Sequence, residues 1–533
     1  MKKMITMSLI AAATTVAFAS TADDIANLQS QIDKLKTKQG KINAQSANDN
    51  IKWGVDFRTS YDNINYDMAD GSSQKNDALL GMRLWLNMAY AADEHNIFKG
   101  QLSMNKAFGA DFGDAMNGQP NRTMSMAGMF DWIGNESLTD NSLKVRQAYW
   151  LYLGDSAFGV DIPWTFSIGR RPSTNGFLAS LSQDDPAQSP VGHLINVEFD
   201  GLSSKLDLSN VTGVPGMSFK VCMGLGSTNA VPQFQSDGTQ PYIADEDQLN
   251  NIPLAGFIFE PYNDGQFIVK TTYYKAWNLP DIEMVMNDGQ TLPYNTNGNL
   301  MLQNGFNQVG DIEGAGISVL VDGLTDDGYA SDVKLFGSFA WTKSSPDDGK
   351  AMLGGFGQPD GMESQTGTSY WVGAYLPVGE GSEYGTVGLE YNHGSQYWRP
   401  FTYAEDTMIG SKIAARGDAW EANYTYHIND ALSAQFRYVN IDYDYTGSQG
   451  FFGSTSGGAM KIDDVKEGAA MWQQLGGTQD PASANTVVGN LMMSGMTQEQ
   501  AIGAATQMGM AASFAPNIVE SAQDFRFYLR YRF

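Results

Sequence analysis

The sequence predicts an all-β protein, a transmembrane antiparallel β-barrel of about 16 strands (roughly 14–18), preceded by a short amphipathic helix or coiled coil. Three observations lead to this fold class. Apolar and polar residues alternate with period two over most of the chain, long and short connections follow one another, and the last segment has one apolar and one Arg-rich face. Long apolar runs are not expected in such a barrel, because only alternate residues face lipid.

The first residues have the pattern of a secretory signal peptide. Two Lys residues follow Met1, an apolar run extends from Met4 to Phe18, and Ala17-Phe18-Ala19 has the small-x-small form of a signal-peptidase site. The run is too short for a transmembrane anchor. Residues 1–19 are therefore predicted to direct secretion and to be removed.

Residues 20–50 are predicted to form a periplasmic helix. Their apolar residues follow the spacing of a heptad seam, with Asp, Lys and Gln on the flanks. A coiled coil between copies of the chain and a lone helix on the barrel rim both remain open. A homo-oligomer is expected, with a trimer favoured, because porins of this size are commonly trimers. The seam consists of Ile25, Leu28, Ile32, Leu35, Gln39 and Ile42.

Period-two alternation begins at residue 51 and predicts a barrel domain over 51–533. Most of the predicted strands have about the 9–11 residues that a tilted strand needs to cross a bilayer. The sixteen predicted strands are 51–66, 80–92, 98–109, 143–154, 164–173, 201–209, 217–227, 254–262, 265–278, 315–324, 332–344, 369–378, 384–398, 418–429, 431–447 and 525–533.

The connections are expected to alternate long and short without a break. The short ones are rich in turn residues, and outer-membrane barrels have short periplasmic turns and long extracellular loops. An even strand number would place both chain ends in the periplasm. The long connections are predicted at 110–142, 174–200, 228–253, 279–314, 345–368, 399–417 and 448–524.

The connection 448–524 is predicted to be partly helical, over about 459–475 and 497–512. Thr497 and Gln500 have the spacing of a capping box. Loops of this length usually have a role. Three roles remain open: a plug or constriction in the lumen, a cover over the outer mouth, and a surface for a partner.

The last nine residues alternate strictly between two kinds of side chain. A strand sends alternate side chains to opposite faces, which predicts a lipid-facing and a lumen-facing row. The segment also resembles the C-terminal assembly signature of outer-membrane proteins, which ends in Phe. The apolar row is Phe525, Phe527, Leu529, Tyr531 and Phe533, and the opposite row is Arg526, Tyr528, Arg530 and Arg532.

The composition and the motifs exclude several classes of function. The 533-residue chain has a formal net charge of −26, whereas nucleic-acid binding needs a basic surface. The expected partners are the lipid bilayer, lipopolysaccharide and small hydrophilic solutes. No Gly-x-Ser-x-Gly or His-Glu-x-x-His motif occurs, and the His residues lack metal-ligand spacing. No cofactor and no enzymatic activity are predicted.

Basic side chains within the predicted strands are the candidate functional residues. An Arg that faces lipid at mid-depth costs roughly 2–4 kcal/mol, so most of them should face the lumen. Arg170 and Arg171 are adjacent, so only one can point inward unless a bulge intervenes. The candidate pore-lining residues are Arg58, Arg83, Lys144, Arg146, Arg170, Arg171, Arg437, Arg526, Arg530 and Arg532, with the carboxylates Glu390 and Glu421.

Two interpretations of these residues remain open. Arg58, Arg437, Arg526 and Arg530 are predicted to form a basic ladder across three neighbouring strands, and Lys144, Arg146, Arg170 and Arg171 a second basic group near the outer mouth. Rings of Arg and Lys favour anions in a pore. Alternatively, the Arg residues pair with lumen carboxylates such as Asp56, Glu390 and Glu421, stiffen the barrel and confer little selectivity.

Five segments resemble the porin-like bacterial outer-membrane family named domain of unknown function 3373. They are Asp23–Lys38, Lys52–Arg58, the pair Val145–Trp150 and Ile168–Ser173, and Tyr531–Phe533. The resemblance implies a porin-like barrel and supplies no substrate or site residues. A helix ahead of a barrel of this size is also similar to phosphate-selective porins, but the chain lacks their dense Lys run, so phosphate specificity is not implied.

Passive diffusion of small hydrophilic solutes through an outer-membrane pore is the leading functional hypothesis. A plugged barrel that acts as a surface scaffold or adhesin is the second. A transporter of hydrophobic substrates is the third, and it would need an apolar lumen. The predicted inward row Glu421, Asn423, Thr425 and His427 is polar instead.

Overall fold

A computed structural model describes residues 51–110, 138, 141–231, 233, 240–244, 250–282, 306–350, 352, 363–402, 407–448 and 459–533. Sixteen strands form one closed sheet, in which antiparallel neighbours follow the chain and the last strand pairs with the first. The predicted barrel and its strand number are confirmed. The predicted signal peptide and periplasmic helix lie outside the described residues.

Strands are numbered here in chain order, and every predicted strand overlaps one of the barrel. Two short strands, β6 Gly176–Phe177 and β7 Gln188–Val191, pair with each other outside the barrel sheet. The barrel strands are β1 Lys52–Met68, β2 Ser73–Ala91, β3 Asn96–Ala107, β4 Lys144–Gly154, β5 Trp164–Arg171, β8 Phe199–Asp207, β9 Ser218–Leu225, β10 Pro253–Asn263, β11 Phe267–Ile282, β12 Phe306–Asp322, β13 Lys334–Pro346, β14 Thr366–Pro377, β15 Thr386–Gly394, β16 Gly417–His427, β17 Leu432–Tyr443 and β18 Val519–Arg532.

The two faces of β18 differ as the alternation predicts. Phe525, Leu529 and Tyr531 are 45%, 42% and 46% exposed on the outside of the barrel, whereas Arg526 and Arg530 are buried inside it. An apolar outer surface around a closed sheet is what a wall in contact with lipid requires, because closure pairs every backbone group that lipid could not hydrate.

Aromatic side chains lie on both sides of the wall. Trp53, Trp150 and Trp420 are exposed on the outside, which suits a ring at a membrane interface. Trp371 and Trp398, in contrast, are almost fully buried inside the barrel. Trp side chains therefore have two roles in this barrel, contact with the interface and packing in the interior.

The upper end of the barrel, defined here as the end with the long connections, has one exception to the predicted alternation. Between β1 and β2 the chain makes a turn over Ala69–Ser72, because β2 begins at Ser73, well before the predicted start at 80.

Lower-end turns follow the expected chemistry. Hydrogen bonds from the Asn96 side chain and from the N–H groups of His95 and Asn96 lower the pKa of Asp93.

The connection between β5 and β8, residues 172–198, folds into the barrel and is called the interior loop below. Leu178, Val191, Leu194 and Val197 in this loop are no more than 1% exposed. A second connection, described over 395–402 and 407–416, also enters, and a parallel bridge joins Ile195 of the interior loop to its Phe401. The sequence predicted both connections as long outer loops and did not predict their inward course.

Three helices cover part of the upper end, in the connection whose predicted role was open. They are α2 Ile462–Gln474, α3 Ala484–Met493 and α4 Gln498–Phe514, after the short α1 Ser209–Thr212 near the lower end. The predicted capping box of Thr497 and Gln500 is present at the start of α4. No helix among the described residues is both long and apolar enough to cross a bilayer.

The helices α2, α3 and α4, called the cap below, contact the barrel mainly through α2. Its Ile462, Val465 and Ala469 belong to a buried apolar cluster that includes Ile64 of β1 and Ile441 of β17. The helices therefore lean on one side of the upper mouth, over β1 and β16–β18. Of the three predicted roles, this arrangement corresponds to a cover over the mouth.

Replacing Ile317 by Arg should destabilise the barrel by roughly 2–4 kcal/mol, because the side chain faces outward, 45% exposed, and lies five residues above the lower end of β12, about half of the 9–11 residues that cross a bilayer. Urea unfolding in lipid vesicles measures the change. Leu324→Arg is the matched control, since Leu324 is equally exposed but lies in a lower turn. Equal costs for the two variants would contradict a lipid-facing wall.

Candidate functional site

The interior loop is attached to the wall at its base through a buried Arg. Arg146 of β4 donates to Gln101 Oε1 at 2.5 Å and to Thr174 Oγ1, and its Nε lies 3.5 Å from Glu198 Oε1. Thr174 in turn donates to Glu198 Oε1 at 2.8 Å. The two ends of the loop are thereby held together and against the wall.

The tip of the loop is attached to β17 and β18, which lie five and four strands from β4 around the closed sheet. Arg530 of β18 donates to the carbonyl oxygen of Gln183 at 2.6 Å and pairs with Asp185 at 2.6 Å. Gln435 of β17 donates to the carbonyl oxygen of Ser182 at 3.0 Å. The loop thus reaches from β4 to β17 and β18 and spans the interior.

His193 fixes the middle of the loop. Its Nδ1 and Nε2 each lie 2.9 Å from a serine hydroxyl, those of Ser338 on β13 and Ser369 on β14. The imidazole therefore acts as a structural cross-link. Within the described residues, no group of three or more His, Cys, Asp or Glu side chains is arranged to hold a metal ion.

The predicted basic ladder exists as two rows of directly opposed residues. Arg58 on β1 lies opposite Arg83 on β2 and Arg530 on β18, and Arg437 on β17 lies opposite Arg526 on β18. Like charges in such positions destabilise a sheet. Carboxylates are therefore needed between the rows, and the structure supplies them.

Asp56 and Asp62 compensate the charge on β1, β2 and β18. Asp56 accepts from Arg530 Nε at 2.9 Å and lies 3.5 Å from Arg83, and Asp62 pairs with Arg526. The pairing predicted for Asp56 is confirmed. The guanidinium of Arg58 stacks at 5.1 Å over the ring of Tyr528, and at the lower end Arg532 pairs with Asp184 and Asp185.

A buried network of two carboxylates and two cations joins the second inward connection to the wall. Glu421 accepts from Arg437 at 2.6 Å and pairs with Lys412, which also lies 2.8 Å from Glu390. Trp371 donates to Glu390 at 2.9 Å. Lys412 lies outside every predicted strand, so strand alternation gave no signal for it.

Arg170 and Arg171 lie on opposite faces of β5. Arg171 is buried inside, with its guanidinium 4.9 Å from the ring of Tyr149. Arg170 is paired in register with the exposed Asp200, 3.3 Å away, on the outer face. The prediction that Arg170 lines the pore is therefore wrong, because no bulge turns it inward. Lys144, opposite the buried Ser103, points inward near the upper end.

Three Lys residues that the sequence analysis missed meet beneath the interior loop. Lys220 of β9 donates to Ser189 Oγ at 2.8 Å, and Lys270 of β11 donates to the Ser189 carbonyl oxygen at 3.3 Å. Lys205 of β8 lies directly opposite Lys220. Glu260 pairs with Lys270 at 2.7 Å. The period-two pattern could have placed these Lys residues inward, as it did the Arg residues.

A family model described as protein of unknown function (DUF3373) matches residues 73–487, and no curated protein matches the chain. Solved structures similar to it include a Salmonella typhi OmpF complex with daunomycin, at 11% identity over 91% of this chain and 99% of that chain, with a TM-score of 0.42. The anion-selective porin from Comamonas acidovorans gives the same four values. OmpT, an outer membrane protein of Vibrio cholerae, is 10% identical over 91% and 97%, with a TM-score of 0.39.

Proposed function

The chain belongs to DUF3373, a family of unknown function, and we propose that it forms an outer-membrane channel for passive diffusion of small hydrophilic solutes or ions. The observation that carries this proposal is the closed sixteen-strand sheet, apolar on its outside and rich in charged and hydroxyl side chains on its inside. Barrels of this strand number enclose an aqueous path when loops leave room for one.

In this proposal the interior loop narrows the path, and the Arg residues of the lumen serve first as its anchors. Arg146 holds the base of the loop and Arg530 its far end, and each also contacts a carboxylate. Paired charges contribute little net field, so strong selectivity from the Arg rows is not expected. These contacts support the interpretation in which the Arg residues pair with lumen carboxylates over the one in which they select anions.

Purified protein in a planar bilayer should produce stable conductance steps that grow with salt concentration. The steps should be small for a barrel of this strand number, because the interior loop crosses the lumen. Heat-denatured protein at the same load is the control. A silent membrane at high load of folded protein would count against the channel.

A filled barrel that serves as a surface scaffold is the second candidate function. It is favoured by the apolar clusters inside the wall, one of which unites Leu194, Trp398 and Phe401 with inward residues of β10 to β13. The two functions differ in one respect. A scaffold would be silent as folded and would conduct only after the inward connections are shortened.

The proposed assembly follows the sequence pattern. We place the N-terminal helix, residues 20–50, in the periplasm, with its heptad seam as support for self-association. We favour a trimer because porins of this size are commonly trimers. The lipid bilayer and lipopolysaccharide would surround the apolar outer face.

A further inference from the structure

The cations beneath the interior loop differ from the Arg rows in how they are compensated. Within the described residues, Arg437, Arg526 and Arg530 each pair with a carboxylate at the wall. Among the described residues, the group Lys205, Lys220, Lys270 and Arg171 has two carboxylates nearby: Glu260, which is shared by Lys270 and Lys205, and Asp207, which is near Lys205. This side of the interior therefore has an excess of positive charge.

Two members of the group have no carboxylate partner among the described residues. Among the described residues, Lys220 donates a hydrogen bond to Ser189 Oγ, and the guanidinium of Arg171 lies 4.9 Å from the ring of Tyr149. A Lys ammonium has three donors and a Ser hydroxyl has one. The ammonium of Lys220 and the hydroxyl of Ser189 therefore offer several donors for an acceptor to occupy.

A cavity lies beside these donors. Its volume is about 70 Å³. Arg171, Ser189, Lys220 and Cys222 line one part of it, and most of the remaining lining is apolar. A water needs roughly 10–15 Å³ measured in this way, so the cavity has room for a small ion with part of its hydration. Pro190 and Tyr274 also line it and limit the size of an occupant.

We propose that Arg171, Lys220 and Ser189, with Lys270 behind them, form a binding subsite for a small inorganic anion on the permeation path. The subsite rests on the proposed channel function and adds a substrate class to it. The ion would accept hydrogen bonds from Lys220 and Ser189 and would neutralise charge that no described carboxylate balances. Because paired charges elsewhere in the interior contribute little net field, this side would set the preference of the channel for anions over cations.

The chain's single cysteine makes the electrostatics of the subsite measurable. Cys222 lies two residues from Lys220 on the inward face of β9, is partly exposed, and lines the same cavity. Anionic and cationic methanethiosulfonate reagents should therefore label the native protein at different rates. Relative to their rates with a free thiol, the anionic reagent should be roughly tenfold faster, because local positive charge concentrates anions.

Lys220→Gln should lower that rate ratio by about threefold or more, since it removes the nearest uncompensated charge. Lys461→Gln is the matched control, because it removes the same charge from an exposed residue near the upper end. Its ratio should equal that of the native protein. A native ratio at or below one, or the absence of labelling by either reagent in the folded protein, would overturn the subsite.

Reversal potentials in a KCl gradient separate the subsite from the channel proposal. Native protein should prefer chloride, and Lys220→Gln should shift the reversal potential toward that of a non-selective pore, with Lys461→Gln unchanged. Conductance with the same reversal potential in all three proteins would overturn the subsite and leave the channel intact. Silent membranes combined with charge-dependent labelling would overturn the channel alone.

Discussion

Replacing residues 175–197 by a short Gly-Ser linker is expected to raise the single-channel conductance several-fold. The interior loop is buried in the barrel and crosses it from Arg146 on β4 to the partners of His193 on β13 and β14, seven and eight strands away. A 16-stranded barrel without an internal obstruction leaves an aqueous channel. Removal of the loop should therefore widen the narrowest part of the path.

The linker is designed to spare the wall. Thr174 and Glu198 stay in place, and their side chains lie 2.8 Å apart, so a short linker can join them. Arg146 keeps these two partners, and Arg530 keeps Asp56. The measurement is single-channel conductance in planar bilayers, with folding checked by the heat-dependent shift in electrophoretic mobility that closed barrels show.

The matched control replaces residues 481–496, which contain α3, by the same linker. Val487 and Leu491 of α3 pack within the cap against Trp472, and α3 has no described contact with the interior loop. This variant should conduct like the native protein. If the cap variant raised conductance and the loop variant did not, the constriction would lie in the connection 448–524, as one of the three interpretations of the sequence had it.

The barrel could be predicted because the pattern that specifies each strand, the alternation of neighbouring residues, is local in sequence. In β18 each apolar residue is followed by a polar or aromatic inward one, and membrane and interior enforce that alternation over every strand. The limits of prediction are equally local. Residues 73–77 are polar and exposed, so no alternation marked them as strand, and the turn Ala69–Ser72 was missed.

The interior loop could not be predicted because its course depends on contacts distant in sequence. Asp185 pairs with Arg530, 345 residues away, and His193 with Ser369, 176 residues away. One signal was present. Phe177, Leu178 and Leu194 are apolar residues in a connection otherwise expected to face water, and such residues need a place to be buried.

The candidate site was predicted in part for the same reason. Strand position alone brought Arg58, Arg437 and Arg530 to the inner wall, so their juxtaposition could be foreseen. The identity of their partners could not. Asp185 and Lys412 come from inward connections, and whether an Arg row acts on solutes or holds a loop depends on those partners.

Glu421→Gln should destabilise the folded barrel by roughly 3–5 kcal/mol, because it leaves two buried cations with one carboxylate. Glu421 is 3% exposed, accepts from Arg437 at 2.6 Å and pairs with Lys412. After the substitution, Glu390 alone would balance both charges. Urea unfolding in lipid vesicles gives the free energy of unfolding.

Two further variants interpret the result. Glu520→Gln breaks the ion pair between Glu520 and Lys466, whose side chains are 37% and 39% exposed, respectively. It should lower the free energy of unfolding by roughly 0–1 kcal/mol, because water screens exposed pairs. Lys412→Met combined with Glu421→Gln removes one charge of each sign. It should recover part of the loss, since the remaining Arg437 and Glu390 again balance.

The size of the Glu421→Gln effect also measures how dry the interior is. If a wide aqueous path ran beside the Glu421 ion pairs, water would screen them as it screens exposed pairs. Glu421→Gln would then lower the free energy of unfolding no more than Glu520→Gln does. A full cost means that the wall between β15 and β17 is packed against the inward connections and excludes water. In that case the proposed channel would have its open path on the opposite side of the interior loop, where Arg171 and Lys220 lie.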